Sequence, residues 1–206
     1  MSENQASGFG LQASGPKAPR WAWWVATGFG SGCVSPAPGT WGSLASIPAW
    51  LVVFRFCNWL SSPVASFHGW DHLILSALPL AIIMLGYGIL ASRASGLVEQ
   101  EHGQKDPGFI VADEWIGMGI ALLPLYPLLA FWPVPVQGHV PMLLRVSVWV
   151  LPLLVPFLLF RLFDIWKPWP CKRLQAMGGG PGIVLDDVAA GVWAALFVIL
   201  LGRFFL

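Results

Sequence analysis

Five apolar stretches, at about residues 43–60, 72–92, 110–131, 140–163 and 184–202, constrain this chain more than anything else in it. Each reaches or approaches the roughly 20 residues that a tilted helix needs to cross about 30 Å of hydrocarbon. Backbone polar groups at that depth must be satisfied within their own element, so the stretches predict an all-α, polytopic membrane helical bundle. Only 10% of the 206 residues are charged and 56% are hydrophobic, whereas a soluble domain carries about 25% charged residues. The first stretch is the weakest, because Pro48 and Arg55 interrupt it. Four crossings with a re-entrant first segment are the alternative to five.

Ahead of the stretches, residues 1–20 are polar and rich in Gly, Ser, Ala and Pro, which reads as a disordered arm before a single membrane domain over 21–206. The run Trp21-Ala22-Trp23-Trp24-Val25-Ala26 is too short for a signal-peptide core, and its tryptophans suit the headgroup layer. Lysines and arginines then alternate between connections. Lys17 and Arg20 lie in the arm, Arg93 and Lys105 in the second connection, and Lys167, Lys172 and Arg173 in the fourth, while 61–71 and 132–140 hold none. The positive-inside rule therefore places the N-terminus and the even-numbered connections in the cytoplasm. A net charge of +1 leaves no basic patch for nucleic acid. Cys33, Cys57 and Cys171 have neither disulfide-framework nor zinc-ligand spacing.

On the predicted cytoplasmic side the sequence gathers its chemistry. Asp113-Glu114 opens the third stretch and Asp186-Asp187 the fifth, and Arg161, Asp164 and Lys167 close the fourth at three-residue spacing, on one helix face ahead of Pro168 and Pro170. Acids at helix starts also complement the macrodipole, by about 0.3–1 kcal/mol each. Two pairs plus Asp164 on one side of a membrane repel one another unless a cation compensates them, and an all-oxygen set suits Mg²⁺. Glycine-rich runs, 28–42 and 178–182, read as turns ahead of helices, where backbone N–H groups can approach an anion. Gly117 with Ala121 and Gly191 with Ala195 are small pairs suited to close helix packing. No GxSxG, HExxH or GxxxxGK[ST] occurs. His68 and His139 fall in the connections assigned to the far side.

The chain resembles the phosphatidylglycerophosphatase A family in its Gly30-Ser31-Gly32, Pro38-Gly39-Thr40-Trp41-Gly42-Ser43-Leu44, Ile110-to-Met118, Phe160-to-Pro170 and Gly179-to-Gly191 segments, in that order. The resemblance implies a bacterial inner-membrane enzyme that hydrolyses phosphatidylglycerophosphate, its lipid substrate, to phosphatidylglycerol and inorganic phosphate with Mg²⁺. On that basis Asp113, Glu114, Asp186 and Asp187 are candidate metal ligands, and Asp164 is a further ligand or a base that orients water. Arg161 and Lys167 would neutralise the phosphate, with Gly39, Thr40, Ser43, Gly180 and Gly182 adding contacts to it. A phosphatase of another lipid phosphate, such as phosphatidate, stays open. So does a small ion-coupled transporter, although transporters place such carboxylates near the bilayer midplane. The oligomeric state is not legible.

Overall fold

The computed structural model describes residues 15–61, 70–129 and 142–205. Most of the expected N-terminal arm, and the connections that hold His68 and His139, lie outside the described residues.

Every regular element among the described residues is helical. A short helix α1 (Arg20–Ala26) precedes α2 (Pro38–Ser61), α3 (Trp70–His102) and α4 (Ala112–Leu122). After a 3₁₀ turn at Leu123–Leu125 come α5 (Tyr126–Leu129), α6 (Met142–Trp166), α7 (Cys171–Gln175) and α8 (Gly179–Phe205). By length and composition three of these can cross a membrane: α2, the Ala77–His102 part of α3, and the Gly179–Arg203 part of α8. Large apolar side chains such as Ile82, Leu85, Leu158, Leu162 and Ile199 line the outside of the bundle, as lipid-facing positions do.

Several boundaries move from where hydropathy puts them. Helix α2 starts at Pro38, so Gly39 to Ser43 occupy its first turns rather than a loop before it. Likewise α8 starts at Gly179, which turns the expected glycine loop into the helix's own first turn. Proline at position 38 suits a helix start, where its missing N–H has no intrahelical partner to lose. The third stretch is broken at Pro124. Helix α4 has 11 residues, a length of about 17 Å, too short to cross alone.

Short as it is, α4 sits at the centre, with nine of its 11 residues buried. Phe54 of α2, Met118 and Leu122 of α4 and Phe160 of α6 fill the core around it. Trp50 Nε1 donates to the Trp115 carbonyl at 2.7 Å and ties α2 to α4. Against α8 the packing is backbone to backbone. A Cβ added at Gly191 would strike the Gly117 carbonyl oxygen, and one at Gly117 would strike the Phe160 ring. Only residues without side chains allow two helices so near. Helix α1 is held at its own end of the bundle by Glu101, whose carboxylate accepts from Trp23 Nε1 at 2.8 Å and Ala18 N–H at 3.0 Å.

Candidate active site

The contact between Gly117 and Gly191 sets the site. Asp113 lies four residues before Gly117 and Asp187 four residues before Gly191, one turn back on the same faces. The two acids therefore converge, and with Glu114 they offer oxygen atoms all within 4.8 Å of one another. Asp164, in the last turn of α6, stands against Asp187. Asp186 turns the other way and accepts from Lys167 Nζ at 2.5 Å.

Cations meet this cluster from α6 and the residue just beyond it. Arg161 Nη1 lies 2.7 Å from Asp164 Oδ2 and 4.0 Å from Glu114 Oε1. It also donates to Ser43 Oγ at 3.4 Å, and Ser43 in turn donates to the Gly39 carbonyl at 2.8 Å. Gly39 is pressed against the same pair: a Cβ there would meet Glu114 Oε1 and lie 3.2 Å from both terminal nitrogens of Arg161. Burial works against the Lys167 ammonium, yet its hydrogen bond to Asp186 and the neighbouring carboxylates outweigh that and raise its pKa. The lysine stays charged at any physiological pH.

Four carboxylates keep one buried oxygen each without a hydrogen-bond partner: Asp113 Oδ1, Glu114 Oε2, Asp186 Oδ1 and Asp187 Oδ2. Leaving charged oxygens buried and unmatched is costly, so such atoms call for a cation. Three of the four belong to the convergent trio. Its donor set is all oxygen, with no sulfur or imidazole, and fits a hard divalent ion such as Mg²⁺.

The family model for phosphatidylglycerophosphatase A matches residues 24–202 of this sequence. The chain belongs to the phosphatidylglycerophosphatase A family. It is 32% identical to phosphatidylglycerophosphatase A of Escherichia coli (strain K12) over 182 residues, 87% of this chain and 82% of that protein. Against phosphatidylglycerophosphatase A of Haemophilus influenzae it is 31% identical over 175 residues, 84% of each chain. A putative phosphatidylinositol-3-phosphatase of Bacteroides thetaiotaomicron is 30% identical over 174 residues, 84% of this chain and 89% of that one. No solved structure matches.

Within this phosphatidylglycerophosphatase A frame, the fold brings Asp113, Glu114, Asp164, Asp186, Asp187, Arg161, Lys167, Ser43 and Gly39 to one place. Thr40 is half-buried one residue from Gly39, with no hydrogen bond to the cluster among the described residues. Gly180 and Gly182 lie elsewhere. The first is packed on the Ser92 carbonyl of α3, the second against the α7 turn at Leu174 to Met177. One participant is not visible in the sequence. Tyr87 of α3 has a buried hydroxyl with no hydrogen-bond partner, in the electrostatic field of Asp113 and Glu114, and its ring stacks on Trp115 with centroids 6.4 Å apart. A lone tyrosine inside an apolar run carries no spacing signal that could have singled it out.

Proposed function

We propose that this chain is a Mg²⁺-dependent phosphatase that releases inorganic phosphate from phosphatidylglycerophosphate at the cytoplasmic face of the inner membrane. The observation that carries the reading is the largely buried trio Asp113, Glu114 and Asp187, facing Arg161 inside a family with members named phosphatidylglycerophosphatase A. A lipid phosphate suits such a place, because its chains stay in the bilayer while its phosphomonoester reaches into the cluster.

Asp113, Glu114 and Asp187 would hold the ion. Bound there, Mg²⁺ would supply Lewis-acid stabilisation of charge on the phosphoryl oxygens. The remaining work falls to side chains of the chain itself. Arg161 presents a planar fork to two phosphate oxygens, and Asp164 fixes that fork in direction. Lys167, held charged by Asp186, adds a point charge. In the hydrolysis a water oxygen bonds to phosphorus and gives up a proton, the bond from phosphorus to the glycerol oxygen breaks, and that oxygen takes up a proton in its place, so the net proton comes from the water. Asp164 would orient the water, a role supported by its nearness to both Asp187 and Arg161. Unaided phosphate-monoester hydrolysis is among the slowest of reactions, so a site this rich in fixed charge is what the reaction requires.

The name of the Bacteroides relative favours one second reading, a phosphatase for a different lipid headgroup. Phosphate release by purified protein from phosphatidylglycerophosphate, phosphatidate and phosphatidylinositol 3-phosphate, with and without chelator, separates the two. Asp113→Asn and Asp187→Asn should each lower the preferred activity by about 10²-fold or more. Full activity in both variants, or activity that survives chelation, would remove the basis for the assignment.

A further inference from the structure

Beside the carboxylates the bundle carries an apolar groove of about 690 Å³, walled by α3, α4 and α8. It shares two helices with the cluster. Ile116 lies one turn from Asp113 on α4, and Leu185 and Val188 flank Asp186 and Asp187 on α8. The α3 wall runs from Met84 to Arg93, a length of about 13 Å at the helical rise. Leu85 and Ile89 along it are exposed, so the groove opens sideways, where the hydrocarbon of a membrane would lie.

One end differs from the rest. Arg93 is the charged residue of the lining, exposed, and without an ionic partner among the described residues. It stands where α8 begins, since the Gly180 backbone rests on Ser92, the neighbour of Arg93. A long apolar trough with an unpaired cation at its mouth complements one kind of molecule, an anionic lipid with its phosphate outside and its chain within.

We infer that this groove binds an acyl chain of the phospholipid substrate, with Arg93 on the phosphodiester next to the chain. The inference rests on the lipid-phosphatase reading above. It makes the groove, rather than the carboxylates, the part that selects a lipid over a soluble phosphate ester. A feature of α3 makes it testable. Gly88 lines the groove, and a Cβ built there meets nothing within 4 Å. Gly86, on the same helix, also has open space and lies outside the groove. The first side-chain atom at either position meets open space, and leaving glycine favours the helix.

The experiment compares Gly88→Phe with Gly86→Phe on a series of phosphatidylglycerophosphates of increasing acyl length. Gly88→Phe should lower the long-chain to short-chain ratio of kcat/KM by about tenfold, through KM, as expected when apolar burial of about two methylenes is lost. Gly86→Phe should leave that ratio as in the wild type. In parallel, a phospholipid with a photoreactive acyl chain should label peptides of α3 and α8 in the wild type and lose that label in Gly88→Phe. An unchanged ratio in Gly88→Phe, or labelling outside these helices, overturns the inference. So does a change of oligomeric state in Gly88→Phe, which would assign the groove to a second copy of the chain. No phosphate release by the wild type at any length would refute the phosphatase reading, and the labelling would still report on the groove.

Discussion

Replacing Gly191 by alanine adds one methyl group and should disable the enzyme. Helix propensity alone favours the change by about 1 kcal/mol. Packing opposes it, because the new Cβ would strike the Gly117 carbonyl oxygen and lie 3.1 Å from both its carbonyl carbon and its Cα. These are backbone atoms of a buried helix and cannot rotate aside. Helices α4 and α8 would have to separate by on the order of 1 Å, and overpacking of this kind costs about 1–3 kcal/mol. The separation falls one turn from Asp113 and Asp187, whose oxygens must stay within the 4.8 Å cluster. A displacement of about 1 Å at a reacting centre is worth roughly 10²-fold in rate. Gly191→Ala should therefore lower kcat/KM for lipid phosphate hydrolysis by about that factor and raise the Mg²⁺ concentration needed for half activation. The assays are phosphate release across a Mg²⁺ titration and thermal unfolding in detergent. Wild-type activity with a wild-type Mg²⁺ requirement would refute the claim that this glycine contact sets the site.

Two further outcomes are expected. Lys167→Met leaves the Asp186 carboxylate, 4% exposed, without its partner and should destabilise the protein by up to about 3–5 kcal/mol; adding Asp186→Asn should restore most of the melting temperature. Because the lysine pKa is raised above 10.5, the lysine's share of the pair's stabilisation is in place below that value and fades only as pH climbs through the higher one. Cys33 is exposed while Cys57 and Cys171 are buried, so a membrane-impermeant maleimide should label the protein in inside-out vesicles and not in intact cells. Labelling in intact cells would reverse the proposed orientation.

The helices were legible because lipid demands long apolar runs, and the acids stood out because charge is scarce in this chain. The role of the glycines was harder to read. Gly39, Gly180 and Gly182 look in sequence like turns that could cradle a phosphate, since turns and close helix contacts both call for a residue without a side chain. In the fold they lie within the first turns of α2 and α8, and Gly180 serves contact with α3. Helical spacing marked Gly117 with Ala121 and Gly191 with Ala195 as small pairs for close packing, but not that Gly117 and Gly191 meet each other, the contact that governs where the carboxylates converge. Tyr87 illustrates the same limit. Its ring neighbours Trp50 and Trp115 come from two other helices, and spacing along one chain segment holds no information about them.

The bonds around Arg161 differ in tightness, and that has a bearing on how a ligand enters. Its contact with Asp164 is short at 2.7 Å, whereas those with Ser43 and Glu114 are long at 3.4 and 4.0 Å. All three are made by Nη1, which is held by one short contact and two long ones. A phosphate oxygen arriving in place of the two long contacts would displace no strong hydrogen bond, so the arginine can take on a new partner while Asp164 keeps it aimed. Substrate entry would then need little rearrangement of the polar wall, and the slow step would lie in the chemistry or in the lipid's passage along the bilayer.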